Sequence, residues 1–169
     1  MLSPKIETAL NSQINAEYYS SYLYLSMASY FDSINLQGFA NWMRIQNQEE
    51  MFHTMKFFDF VAERGGRVVL TAIEAPQTEW ESPLVAFEET LAHEQHVTSL
   101  INKLVDLAVE ESDHATNNFL QWFVGEQVEE EATADGILQQ LRLMKDAPGG
   151  LFMMDLELKQ RVFTPPANA

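Results

Sequence analysis

The 169-residue sequence contains no cysteine, which excludes disulfides, thiolate metal sites and cysteine nucleophiles together. Any metal must therefore be held by oxygen and nitrogen. Basic residues are scarce: 10 Lys and Arg stand against 25 Asp and Glu, a formal net charge of -15. That balance argues against nucleic acid or an anionic membrane as the main partner and favours cations. No stretch of about 18 apolar residues is present to span a membrane. The opening MLSPKIETAL lacks a basic region followed by an apolar run, so the chain reads as soluble and untargeted. What is present is an apolar fraction of 46% with 11% aromatics, too high for a disordered chain and ample for one folded domain over 1–169.

Ser3-Pro4 is a helix start, with serine as the cap and proline at the first helical position, where its missing N–H is not needed. From there Leu10, Ile14, Tyr18, Ser21, Tyr24, Ala28 and Phe31 recur at three- and four-residue steps to about Asp32. After DSINLQG a second periodic run extends from about Leu36 to Glu63 and stops at Gly65-Gly66. Residues 65–82 have no helical period. Ser82-Pro83 repeats the opening signal and starts a third helix to about Glu111; the connector ESDHAT leads to a fourth, from about Thr116 to Met144. The two short connectors demand antiparallel neighbours, whereas the long segment, at roughly 3.3 Å per extended residue, can return along a whole helix. The expected fold is all-α: a four-helix bundle over about 4–144, with a long crossover between helices 2 and 3. A short fifth C-terminal helix over about 151–163 and a disordered-looking tail at 164–169 complete it.

Each of these helices places a polar group on its apolar stripe. Glu17 shares a face with Leu10, Ile14, Ser21 and Tyr24; Glu50 with Met43, Gln46, His53 and Phe57; Glu94 with Phe87, Leu91, Thr98 and Ile101; Gln127 and Glu130 with Leu120, Phe123, Ala134 and Ile137. Glu17 and Glu50 are equally far from the first connector, and Glu94 and Gln127 from the last, so these groups meet at mid-bundle. An internal repeat of 77 residues carries Glu17 to Glu94, Glu49 to Glu126, Glu50 to Gln127 and His53 to Glu130, giving the cluster a pseudo-twofold symmetry. One Glu-x-x-His means little, and a second copy, Glu111 to His114, falls in a turn where it is expected to be solvated. Four such groups at one depth are different, because burying unpaired carboxylates costs several kcal/mol each and the set has one His and no Lys or Arg to balance them. The missing partner is a cation, and glutamate oxygens with one imidazole nitrogen suit iron or manganese.

The pieces NAEYYSSYLYLSM, QNQEEMFH, AHEQ, NNFLQWFVGEQVEEE and GGLFMMDLEL, at their spacings, resemble the ferritins over nearly the whole chain, and the bacterial non-haem ferritins most. The resemblance implies an iron-storage protein of the cytoplasm. It would oxidise Fe(II) with O2, or with H2O2, at a di-iron centre and deposit ferric mineral inside a homo-oligomeric cage of twenty-four subunits. It implies Glu17, Glu50 and His53 at the first iron, with Glu50 bridging to a second iron held by Glu94 and Glu130. Gln127 would lie beside that second iron, and Tyr24 would be an electron donor. Glu49, Glu126 and Glu129, joined by Glu130, match the family's third iron site. Two departures from the haem-containing members matter: Gln127-x-x-Glu130 replaces their second Glu-x-x-His, and Met51, in the place of their haem-ligating methionine, reads as interface or core packing, so haem is not expected. Trp122 matches the family and is expected to pack. His93 and His96 flank Glu94 off the stripe and are expected at the surface or cage wall. The apolar start of the fifth helix, Leu151 to Met154, would need a partner surface.

The rival readings are another di-iron enzyme of the peroxidase or oxygenase type, a non-catalytic cage-wall bundle, and a DNA-protecting mini-ferritin. A rubredoxin-type module needs cysteines, and a substrate pocket needs space that Trp42, Phe119 and Phe123 are expected to fill. A wall subunit would gain by replacing the buried acids. The acidic balance and the fifth helix both disfavour the mini-ferritin.

Overall fold

The computed structural model describes residues 2–145 and 147–165. These form α1 (Pro4–Ser33), α2 (Gln37–Glu63), α3 (Pro83–Glu110), α4 (His114–Leu143) and α5 (Gly150–Leu158). The two Ser-Pro starts behave alike: Ser3 accepts from the Ile6 amide at 3.3 Å and Ser82 from the Val85 amide at 3.2 Å. The helices stop where the backbone turns left-handed, at Asn35 (φ 61°), Gly65 (φ 74°) and Ser112 (φ 55°). No helix among the described residues is long and apolar enough to cross a membrane.

Pairwise contacts fix the directions. Along α1 and α2 the partners run Asp32 with Arg44, Ser21 with Asn47 and Glu17 with His53, the order of an antiparallel pair. Arg142 meets Glu88, and Glu131 meets Thr98, so α3 and α4 are antiparallel too. Met27 with Thr90 and Tyr24 with Glu94 set α3 antiparallel to α1. Helices α2 and α3 are therefore parallel, as the long crossover requires. That crossover is pinned along α1: Asn11 brackets Arg67 and Val69, Asn15 donates to Ala72 at 3.1 Å, and Ser26 donates to the Gln77 carbonyl at 2.6 Å.

Two apolar clusters fill the bundle above and below its middle. One gathers Phe31, Phe39, Trp42, Phe87 and Leu138; the other gathers Leu10, Phe57, Ile101, Leu120 and Phe123. The polar residues sit in the band between them.

Two boundaries differ from expectation. Helix α4 begins two residues earlier, at His114, because Asp113 caps it; α5 begins at Gly150 and stops at Leu158, well before Phe163. The reason for the second is tertiary: the Asn41 amide on α2 takes the carbonyls of Leu158, Lys159 and Arg161, which draws the chain away from helical continuation. Of the apolar α5 residues, Met154 is buried within the subunit, whereas Leu151, Phe152 and Met153 are exposed. The expected tail falls mostly on 166–169, outside the described residues.

Asp113 joins the two halves. Its Oδ1 accepts from the Thr116 amide at 3.1 Å, and Arg64 at the end of α2 forks onto both carboxylate oxygens at 3.1 and 3.0 Å. Burial alone would push this carboxyl up, but the bonds from Arg64 and Thr116 together hold it below its ordinary 3.8. Asp113→Ala should lower stability by about 1–2 kcal/mol, read as a fall in Tm of roughly 3–6 °C. Because the folded value lies below the unfolded one, this stabilisation is complete above about pH 4 and disappears as pH falls through the folded value. Acid unfolding of the variant should accordingly start from a lower baseline and lose less.

Candidate metal centre

Glu17 leaves α1, Glu50 and His53 leave α2 one turn apart, Glu94 leaves α3, and Gln127 and Glu130 leave α4; all six are buried. Among the described residues, Glu17, Glu50 and His53 form the one set of acidic or imidazole groups whose donor atoms all lie within 4.8 Å of one another. His53 Nδ1 is 3.4 Å from Glu50 Oε2 and 3.9 Å from Glu17 Oε2. Glu17 Oε1 accepts from Gln13 at 2.8 Å, but Glu17 Oε2 is buried with no hydrogen-bond partner. An orphan carboxylate oxygen beside an imidazole and a second carboxylate is a donor set that fits a cation.

The α3 and α4 acids are held by neutral donors. Glu94 accepts the Tyr24 hydroxyl on one oxygen and the Gln127 amide at 3.3 Å on the other, while Glu130 Oε2 accepts from Gln46 at 2.7 Å. Among the described residues no Lys or Arg is buried, so nothing within the subunit's core balances these charges. Burial accordingly drives the carboxyls upward, to about 8 at Glu17, about 8 at Glu130 and about 7 at Glu94, with Glu50 also well above its ordinary range. The Tyr24 phenol is raised by burial and by Glu94.

Glu49 and Glu126 are half-buried and Glu129 is exposed; together with Glu130 they line a cavity next to His53. Trp122 packs edge-on against His53 with ring centroids 5.5 Å apart. Met51 and Val128 are exposed, and Glu111 is paired at the surface with Lys5 at 2.9 Å. Trp42 and Phe123 are buried.

His96 is exposed as expected, while His93 is half-buried between α1 and α3. Its Nε2 shares a 2.8 Å hydrogen bond with Ser20 Oγ, its ring packs edge-on to Tyr24, and burial pushes its pKa down to about 4. A position one residue off the stripe still points into a bundle where a small side chain such as Ser20 on the facing helix leaves room.

The model of the family described as "Ferritin-like domain" matches residues 7–144. The chain belongs to the ferritin family. This ferritin is 47% identical over 161 residues to the bacterial non-heme ferritin of Bacteroides fragilis strain YCH46, covering 95% of this chain and 100% of that one. It is 42% identical over 163 residues to the bacterial non-heme ferritin of Staphylococcus saprophyticus, covering 96% and 98%. Among solved structures, the open pore ferritin of the archaeon Archaeoglobus fulgidus superimposes with a TM-score of 0.95 at 59% identity, covering 96% of this chain and 100% of that one. A form of that ferritin engineered to be closed gives a TM-score of 0.96 at 60% identity, covering 97% and 100%. The bundle, its crossover and its short last helix are thus those of a ferritin, and Glu-x-x-His on α2 belongs to the carboxylate bundles of that class.

Two polar residues at the site were not singled out from sequence, Gln13 and Arg161, whereas Gln46 was placed on the stripe of Glu50 without a role. Gln13 is one turn before Glu17, a spacing shared by many surface pairs. Arg161 gave no signal, because only the docking of the last segment brings it near.

Proposed function

We propose that this ferritin stores iron by oxidising Fe(II) with O2 at a pair of adjacent sites in each subunit and laying down the ferric product inside a cage of twenty-four copies in the cytoplasm. One observation carries the reading: four buried carboxylates and one imidazole lie at one level of the bundle with an unpartnered carboxylate oxygen and, among the described residues, no buried Lys or Arg. Iron is the substrate here. Glu17 and His53 bind one ferrous ion, Glu94 and Glu130 the other, and Glu50 bridges them, with Gln127 beside the second.

Two Fe(II) held side by side each supply one electron, so O2 is reduced by two electrons without releasing a one-electron product. Oxygen ligands favour the ferric state, which drives the oxidation. The single imidazole leaves the set weak enough in nitrogen for the ferric product to move on. An electron from Tyr24, its hydroxyl proton passing to Glu94, together with one from a third Fe(II), would take the oxygen from the peroxide level to water. Glu49, Glu126 and Glu129, with Glu130, take a third ion on its way out.

Fe(II) added anaerobically to metal-free protein and then exposed to air should show fast ferric absorbance saturating at about two irons per subunit, followed by slow growth to many irons per assembly. Glu50→Ala should lose the fast phase, a fall in initial rate of at least about 100-fold. Equal rates in both proteins would overturn the oxidase reading. A monomeric mass on size-exclusion chromatography would overturn the cage.

A further inference from the structure

A cation from this chain already occupies part of the outer acidic pocket. After α5 the chain runs without regular structure from Arg161 to Pro165, anchored by Asn41, and Arg161 lies back across α2 with its guanidinium 4.4 Å from the Trp42 ring centroid. Its Nη1 donates to Gln46 Oε1 at 3.0 Å and to the Trp42 carbonyl at 3.3 Å, and its Nη2 donates to Glu49 Oε2. Gln46 is fully buried; with its oxygen taken by Arg161, its Nε2 is directed to Glu130 at 2.7 Å and Glu50 at 3.4 Å. One guanidinium therefore holds Glu49 directly and Glu130 through a single amide. Glu49, Glu126, Glu129 and Glu130 line a cavity of about 310 Å³, and Arg161 is the one Lys or Arg among its lining residues.

We propose that Arg161 is a tethered cation that competes with metal ions for Glu49 and so weakens the binding of a third ion in the outer pocket. The inference rests on the three-ion reading above. A metal ion on Glu49 needs the oxygen that Nη2 now uses, and two cations on one half-buried carboxylate repel each other. The tether keeps the guanidinium at high local concentration, so the apparent affinity of a third ion is reduced without any direct change to its ligands. The stack on Trp42 and the bond to Gln46 do not depend on Glu49. Arg161 can let go of the carboxylate without leaving the helix, which makes the displacement local and reversible.

The test is calorimetric titration of metal-free, assembled protein with Zn(II), a redox-inert probe, in wild type, Arg161→Gln, Arg161→Lys and Glu49→Gln. The inner two ions should bind in every protein. The weaker third event should tighten about tenfold in Arg161→Gln, stay near wild type in Arg161→Lys, which keeps the charge, and vanish in Glu49→Gln. Two ions bound by Arg161→Gln with no third event, or a third event no tighter than wild type, would overturn the inference and leave the inner pair standing. No tight Zn(II) binding by wild type would overturn both readings. Should Arg161→Gln fail to assemble, labelling of wild type with an arginine-specific dicarbonyl reagent, read by mass spectrometry, decides: by reciprocity, the third ion should speed modification of Arg161 by freeing its Nη2, whereas an unchanged rate would overturn the inference.

Discussion

Gly38→Ala is expected to unseat α5 and to cost the subunit about 3–5 kcal/mol. A Cβ at this position would lie 1.7 Å from the Asp155 carbonyl oxygen, 2.6 Å from its carbon and 3.0 Å from Asp155 Cα, all backbone atoms that no rotamer change can move. The close approach exists because α2 starts without a side-chain cap of its own. Asp155 supplies the cap from α5, with Oδ1 accepting from the Gly38 amide at 2.7 Å and the Phe39 amide at 3.2 Å. Alanine would push α5 off, breaking that cap, withdrawing Met154 and Leu158 from the core and carrying the Arg161 segment with them. Thermal denaturation with size-exclusion chromatography should show a large fall in Tm and loss of assembly. Asp155→Ala, which removes only the cap, should cost about 1–2 kcal/mol. A Gly38→Ala protein that melts within a degree or two of wild type would show that α5 is not held by this contact.

In the metal-free protein the acidic core should work against stability, with a definite pH signature. Glu17 and Glu130 titrate at about 8 and Glu94 at about 7 in the folded chain, chiefly through burial, against 4.5 when unfolded. Between these values the folded state binds more protons than the unfolded one, so stability falls as pH rises from about 4.5 and levels off above about 8. The total is on the order of several kcal/mol. Glu17→Gln should keep the bond from Gln13 and gain about 1–4 kcal/mol at pH 8, with a flatter profile, while losing metal. Zn(II) added to wild type at pH 7 should release protons and raise Tm sharply. A metal-free Tm that is level or rising between pH 5 and 8 would mean that the buried carboxyls are balanced by something else.

The second effect follows from what the bundle places at its middle. A bundle of this length could fill its middle with leucine and be more stable; instead it places four acids there, and the apolar layers on either side carry the fold while the middle layer waits for cations. The rivals are weakened by the same facts. A cage-wall subunit has no need for Glu17 Oε2 to be left without a partner, and an organic substrate would have to enter the outer cavity, where Glu49, Glu126, Glu129 and Glu130 put four carboxylates.

Much of this was legible in the sequence. Both Ser-Pro starts, the stop at Gly65, the crossover and the inward direction of Glu17, Glu50, Glu94, Gln127 and Glu130 follow from local propensity and a 3.6-residue period, which act within one helix. Their common depth follows from the short connectors alone. What periodicity cannot carry is which distant group reaches a side chain. The inward turn of His93 depends on Ser20 being small, the end of α5 depends on Asn41, and the tight place at Gly38 depends on Asp155, 117 positions away. Arg161 meets Gln46 across 115 positions. Helix, stripe and level were written locally; the guanidinium on Glu49 and its hold on Gln46 were decided only when the last segment docked, because hydrogen bonds between remote segments depend on the packed geometry of the whole chain.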